Sequence, residues 1–183
     1  DLHFFEDCGE KGGPLIHDPP EGGGTFRSRG CPVNVECETD GPLLARYLVH
    51  CEWSLPESIE SELKVRVPNG PELTEHGTLR RSRRRKTLQI RTRITLRRGS
   101  RVLEFETEVD NTIRDHRLRV VFPSGCGEAT HAQADSAFDL ATRPIAVPDS
   151  TGWYEAALRT WPTQSFVDVP GRGGGLAVLH EGL

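Results

Sequence analysis

An all-β, antiparallel architecture, a large β-sandwich, is predicted by three observations. Apolar and polar side chains alternate with a strict period of two in several stretches, 19 Gly and 13 Pro punctuate the chain as turn residues, and one pair of stretches reads as a complete β-hairpin. The 183 residues are the size of one large domain, enough to bury roughly 70% of the unfolded surface. One sandwich domain over residues 1–183 is therefore expected, with an irregular, loop-rich segment at 1–32.

The hairpin runs from Leu88 to Val109. Leu88, Ile90, Thr92, Ile94 and Leu96 alternate with Gln89, Arg91, Arg93, Thr95 and Arg97 in its first arm. Leu103, Phe105, Thr107 and Val109 alternate with Glu104, Glu106 and Glu108 in its second. Gly99-Ser100 between the arms suits a two-residue type II′ turn with glycine in the first central place. Counting outward from that turn pairs Leu96 with Leu103, Ile94 with Phe105, Thr92 with Thr107 and Ile90 with Val109. The opposite face then pairs Thr95 with Glu104, Arg93 with Glu106 and Arg91 with Glu108, so both faces match chemically. Each such pair contributes only about 0.2–1 kcal/mol, which makes the charge match a matter of register more than of stability.

The other elements follow in chain order. Gly12-Gly13-Pro14, Asp18-Pro19-Pro20 and Gly22-Gly23-Gly24 break any period in the first thirty residues, which read as a long irregular loop. Ala45, Tyr47, Val49, Cys51, Trp53 and Leu55 face one way and Arg46, His50, Glu52 and Ser54 the other, a long strand stopped by Pro56. Leu63, Val65 and Val67 form a short strand before the turn Pro68-Asn69-Gly70-Pro71. Leu118, Val120 and Phe122 mark another strand, closed by Ser124-Gly125, while Ala129 to Pro148 has weak periodicity. A strand is expected over 165–169 and a glycine-rich turn over 171–175. Leu176 to Leu179 begins a strand whose partner is expected beyond the end of the chain.

Composition excludes several functions. A net charge of -4 exerts no global pull on nucleic acid or an anionic membrane. Nearly half of the 23 basic residues lie between 80 and 101, including the run Arg80-Arg81-Ser82-Arg83-Arg84-Arg85-Lys86. The hairpin sets Glu106 and Glu108 beside the arginines, and no aromatic residues interleave them, so a solvated loop and strand face is expected rather than a nucleic-acid site. No apolar run approaches the 18 or so residues of a spanning helix, and a membrane partner is not expected. Five Cys without a CxxC pair suggest free thiols in a reducing compartment, the cytoplasm. The chain begins at Asp1 and contains no Met, which suggests a piece of a longer protein.

Catalytic patterns are sparse. There is no HExxH, no GxSxG elbow and no phosphate-binding loop, and no residue set in the sequence suggests a metal site or a catalytic centre within this chain. Asp135 and Asp139, on either side of Ser136-Ala137-Phe138, have the residue type of a glycosidase carboxylate pair but no further support for that role.

The run EVDNTIRDHRLRVVFPSG at 108–125, ADSAFD at 134–139, Arg143-Pro144, WPTQSFVDV from Trp161 and GLAVLHEGL at the end resemble the C-terminal β region of bacterial family 38 glycoside hydrolases. FEDCGEKG at 5–12 and Asp18-Pro19-Pro20 resemble the segment that opens that region. The family contains α-mannosidases and mannosylglycerate hydrolases. The resemblance implies a galactose-mutarotase-like supersandwich that packs on a separate N-terminal catalytic domain of the same polypeptide. That domain would hold the aspartate nucleophile and the zinc of a retaining mannosidase, leaving no cofactor in this chain. The chain would be an accessory wall of the cleft for mannose-containing glycosides, inactive alone, with homo-oligomers formed through the parent enzyme an open option.

Family members often carry an aromatic residue, commonly Tyr, in the loop before the paired prolines, where Leu15 or Ile16 stands here. Asp135 and Asp139, with Asp18 third, are the expected substrate contacts, since all are expected in loops beside the motifs that carry the resemblance. The same residues would equally serve as turn caps. An independent carbohydrate-binding or protein-interaction sandwich is the alternative, and it predicts an exposed platform made by Trp53, Trp153 or Trp161.

Overall fold

The computed structural model describes residues 2–6, 24–61, 79–153, 157 and 160–181. Every strand pairing is antiparallel, and no helix occurs among the described residues. No described helix is therefore long and apolar enough to cross a membrane. The chain divides into two compact units, Asp1–Val121 and Phe122–Leu183.

The first unit contains β1 (Leu2–Glu6), β2 (Thr25–Arg27), β3 (Val33–Asp40), β4 (Leu44–Pro56), β5 (Ile59–Ser61), β6 (Leu79–Arg81), β7 (Arg85–Arg97), β8 (Leu103–Val109) and β9 (His116–Val120). Its centre is the sheet β3-β4-β7-β8. The two 13-residue strands β4 and β7 pair along their whole length, from Leu44 with Arg97 to Pro56 with Arg85. β7 and β8 pair in the register that the sequence predicts, from Leu96 with Leu103 to Ile90 with Val109.

The turn between them is set one residue earlier than the predicted type II′ turn. Ser100 N–H donates to the Arg97 carbonyl at 3.0 Å, so Arg98 and Gly99 are the central pair, and Gly99 takes the third position with φ 76°. Type II turns need a positive φ there, and glycine adopts it without steric cost. Ser100 Oγ, bonded to both the N–H and the carbonyl of Val102 at 3.0 Å, carries the chain on to β8.

The two faces of this sheet differ as the alternation requires. Cys51, Trp53 and Leu55 of β4 and Leu88 and Ile90 of β7 are buried together with Ile113. Leu2, Phe26 and Leu118, from the second sheet β2-β1-β9, pack over this cluster and make a two-layer core at that end. The other face is ionic. Arg93 lies 3.1 Å from Glu38 and 2.7 Å from Glu106, and Arg97 lies 2.9 Å from Glu104.

The basic run ends in similar local contacts. Lys86 pairs with Glu57 at 2.9 Å, and Arg85 donates to Ser54 Oγ and its carbonyl. The run from Glu108 is structural where it leaves β8. Ile113 enters the core, and Asp115, at φ 59°, accepts the Ile59 N–H at 2.8 Å while its carbonyl accepts Arg81 Nη2 at 2.6 Å. Asp tolerates the left-handed region better than most residues because its short side chain bonds locally. β9 ends at Val120, two residues before Phe122.

Strands β1 and β2 lie at the two ends of the segment expected to be irregular. β1 pairs with β9, far along the chain, and such non-local pairing is invisible to a local reading of glycines and prolines. The predicted strand at 63–67, its turn at 68–71, and Leu15, Ile16 and Asp18 lie outside the described residues.

The second unit is a sheet of β10 (His131–Asp135), β11 (Leu140–Pro144), β12 (Phe166–Val169) and β13 (Leu176–Leu179), in the order β11-β10-β12-β13. The weakly periodic stretch thus contains a hairpin, in which Asp135 pairs with Leu140 and Ala134 with Ala141. Its inward side uses alanines, which give little hydrophobic contrast along the sequence. β13 pairs within the chain, Phe166 with Leu179 through Val169 with Leu176, so β12 supplies a partner expected only beyond the chain end. The glycine turn between β12 and β13 is tight, since a Cβ on Gly171 would meet the Gly174 carbonyl at 2.5 Å and Cys126 Sγ at 2.7 Å.

Candidate functional site

Two of the three expected contact residues are described, and they occupy one hairpin end in the second unit. Asp135 is the last residue of β10, not a loop residue, and its carboxylate is engaged on both oxygens. Oδ1 accepts the N–H groups of Gln164 and Ser165, both at 3.0 Å, and of Phe166 at 3.2 Å, while Oδ2 accepts the Ser165 hydroxyl. These bonds, that of the Ser165 hydroxyl foremost and then that of the Ser165 N–H, hold the Asp135 carboxyl well below the usual carboxylate range. The carboxylate thereby ties the end of β10 to the start of β12.

Asp139 caps the turn. Its Oδ1 accepts the Leu140 N–H at 2.7 Å, and its carbonyl accepts the Ser136 N–H at 2.8 Å and the Ser136 hydroxyl at 2.9 Å. This closure puts Phe138 at the tip, 100% exposed.

A second cluster lies along the segment before β12. The Arg143 guanidinium sits 5.0 Å above the ring of Trp161, which is 50% exposed, and Arg143 Nη1 donates to the Pro162 carbonyl at 3.3 Å. Thr163 Oγ1 and His180 Nε2 are 2.8 Å apart, and His180 N–H donates to the Ser165 carbonyl at 2.8 Å. Asp135, Arg143 and His180 therefore each bond to the segment 161–166.

The tryptophans separate. Trp53 is in the core of the first unit, whereas Trp153 and Trp161 are exposed. The first unit also carries an open groove of about 480 Å³, lined among others by Arg27, Cys31, Glu52, Trp53 and Arg85. No group of three or more His, Cys, Asp or Glu able to hold a metal occurs among the described residues.

Sequence reasoning reached Asp135 and Asp139 but not the residues that give them their roles. Ser165 and His180 lie within the runs WPTQSFVDV and GLAVLHEGL, but nothing in their residue type or spacing marks them as partners of Asp135 and Thr163. Arg143 and Trp161 stood within the runs that carry the family resemblance, and Phe138, flanked by Ser136, Ala137 and Asp139, is an apolar residue inside a turn-forming group.

A family model described as "Glycosyl hydrolases family 38 C-terminal domain" matches residues 4–182. A protein of Halalkalibacterium halodurans named "Putative mannosylglycerate hydrolase" is 27% identical over 184 residues, spanning 100% of this chain and 20% of that protein. The solved structure of an alpha-mannosidase from Enterococcus faecalis V583 matches with a TM-score of 0.80 at 24% identity, covering 100% of this chain and 20% of that one. A second Enterococcus faecalis structure, of a protein in glycosyl hydrolase family 38, matches with a TM-score of 0.69 at 23% identity, covering 92% of this chain and 18% of that one. These structural likenesses show the fold, and the chain spans about a fifth of the length of the relatives it matches.

Proposed function

The chain belongs to the glycosyl hydrolase family 38 C-terminal domains, and from that premise we propose that it is the noncatalytic β portion of a longer, zinc-dependent, retaining α-mannosidase. In this reading it lies against the catalytic portion of the same polypeptide and forms part of the wall of the cleft for α-mannosides. The observation that carries it is coverage: the family match runs over 4–182, yet the chain is only 20% of its Halalkalibacterium halodurans relative.

The catalytic portion would supply the nucleophilic carboxylate and the zinc that grips sugar hydroxyls. The β wall would add orientation and exclusion of water, which raise the effective concentration of the reacting groups. The Ser136–Asp139 turn suits such a wall. The C–H face of a sugar stacks on an aromatic ring and its hydroxyls donate to a carboxylate, and the turn presents Phe138 next to Asp139. Asp135 acts one step back, by holding the segment that bears Trp161, and Asp18 is a further proposed contact. The parent enzyme is proposed to work in the cytoplasm.

The exposure of Trp153 and Trp161 favours one other reading, an independent carbohydrate-binding module. Hydrolysis of an aryl α-mannoside, with zinc supplied, by the parent polypeptide and by residues 1–183 alone separates the two. Activity in the parent only is the expected result. Activity in the isolated chain would overturn the noncatalytic assignment, and inactivity of both would remove the mannosidase reading. Tryptophan quenching of the isolated chain by acrylamide, reversed by a mannoside, would favour the binding module.

A further inference from the structure

Among the described residues of the first unit, the apolar face of the β3-β4-β7-β8 sheet is covered over only part of its length. The strand registers set Cys37, Tyr47 and Ile94 in one row across β3, β4 and β7. Asp40 at the β3 edge, Ala45, Leu96 and Leu103 form the next row toward the hairpin turn, and Val35, Val49, Thr92 and Thr107 the row on the other side. Directly opposite residues share a face, so these rows continue the surface that holds Cys51, Ile90 and Trp53. At the Trp53 end Leu2, Phe26 and Leu118 of the second sheet lie over it. Along the rows nearer the turn, Val35 is 56%, Tyr47 42%, Leu96 48% and Leu103 46% exposed.

A surface of this kind is costly to leave in water, and its composition argues for a definite cover. It is broad, made of strand residues with side chains in register, and continuous with a face already packed by a sheet. Sheet-on-sheet packing covers such a face with a second layer about 10 Å away. The opposite face of the same strands is satisfied by Arg93, Arg97 and their glutamates, so it does not compete for an apolar cover. The relatives carry about four-fifths of their length outside the region matching this chain.

We propose that the surface formed by Val35, Cys37, Tyr47, Leu96 and Leu103 seats an apolar β-sheet face contributed by the parent polypeptide from outside residues 1–183. The second layer that begins with Leu2, Phe26 and Leu118 is thereby continued toward the hairpin turn. This rests on the reading of the chain as part of a longer protein, but not on the sugar that protein cleaves.

The test uses the intact parent polypeptide. Cys37 is exposed in this chain and lies within the surface, so it is a native reporter. Its alkylation in the folded parent is expected to be more than about tenfold slower than in the urea-unfolded parent. Alkylation at the unfolded rate would overturn the proposal. In a second arm, Leu103→p-benzoylphenylalanine is photolysed in the parent and the cross-linked peptides are mapped. A link to the same molecule outside residues 1–183 supports the proposal. A product of twice the mass, a link within residues 1–183, or no link overturns it. Aryl α-mannoside hydrolysis measured on the same samples keeps the two readings apart. A shielded Cys37 in a polypeptide without mannosidase activity sustains this inference and sinks the other, and a reactive Cys37 in an active enzyme does the reverse.

Discussion

The two ends of the apolar face on β4 and β7 are written in the same pattern and have different surroundings. Toward Pro56 and Arg85, Trp53, Leu55, Leu88 and Ile90 are buried beneath Leu2, Phe26 and Leu118. Toward the hairpin turn, Tyr47, Leu96 and Leu103 continue the alternation, with Thr92 and Thr107 on the same face, and are half exposed. Alternation decides which side of a strand a residue faces, because the side-chain period is two. It does not decide whether that side is covered, because the cover comes from another element. Energetic weight should therefore fall steeply along one face of one sheet.

The largest effect should come from the covered end. Trp53→Ala is expected to destabilise the first unit by about 3–5 kcal/mol, the usual range for removing a buried large aromatic side chain. The check is a urea midpoint followed by far-ultraviolet circular dichroism, which does not depend on the lost fluorophore. A loss below about 1 kcal/mol would mean that the Trp53 end is no more a core than the other end.

Order without deep burial gives the next test. Asp135→Asn removes the charge that Gln164, Ser165 and Phe166 N–H groups and the Ser165 hydroxyl share. The folded carboxyl is depressed, so its stabilisation is fully present above the ordinary carboxylate value of 3.8 and is lost only as pH falls through the lower folded value. Ser165 and Phe166 amides should stay protected in the wild-type protein at pH values near and just below 3.8, and lose protection in the variant already at neutral pH. Equal exchange in the two proteins across that window would remove the role given to Asp135.

The same contrast explains what could be read from the sequence. The β7–β8 register was legible because one short turn and two chemically matched faces specify it locally, and the structure keeps every pair from Leu96–Leu103 to Ile90–Val109. The hairpin of β10 and β11 was not, because Ala132, Ala134 and Ala141 mark an inward face with side chains too small to stand out. β1 and β2 carry no local signal because β1 pairs with β9, far along the chain, and β2 pairs only with β1, across the loop-rich segment. Asp135 was legible as a polar residue of interest, but its role depends on Ser165 and on backbone N–H groups, which have no side-chain signature. Phe138 is not distinctive by residue type; its turn position and exposure, which the sequence does not encode locally, single it out.

A smaller effect is expected at the turn that joins β7 to β8. Gly99 has φ 76°, and a Cβ there would meet nothing within 4 Å. Gly99→Ala therefore carries only the backbone cost of a left-handed L-residue, about 1 kcal/mol. The β7–β8 register should survive, visible as unchanged cross-strand nuclear Overhauser contacts between Thr92 and Thr107, whose hydroxyls lie 3.1 Å apart. A slipped register would show that the turn, rather than the matched faces, sets the pairing.

The smallest effect, and the one that bears most directly on the comparison, belongs to the uncovered end. Leu96→Thr combined with Leu103→Thr replaces a cross-strand leucine pair by a threonine pair of good strand propensity. In residues 1–183 alone the change should cost no more than about 0.5 kcal/mol, as for surface positions generally. In the parent polypeptide, where the proposed second layer lies over the pair, the same change buries two hydroxyls in an apolar contact and should cost at least about 1 kcal/mol per hydroxyl left without a partner. Urea midpoints of the pair in both contexts give the difference directly. If the double variant is equally mild in both, the uncovered end stays in water in the parent, and the asymmetry of the face is a permanent feature of this sheet rather than half of an interface.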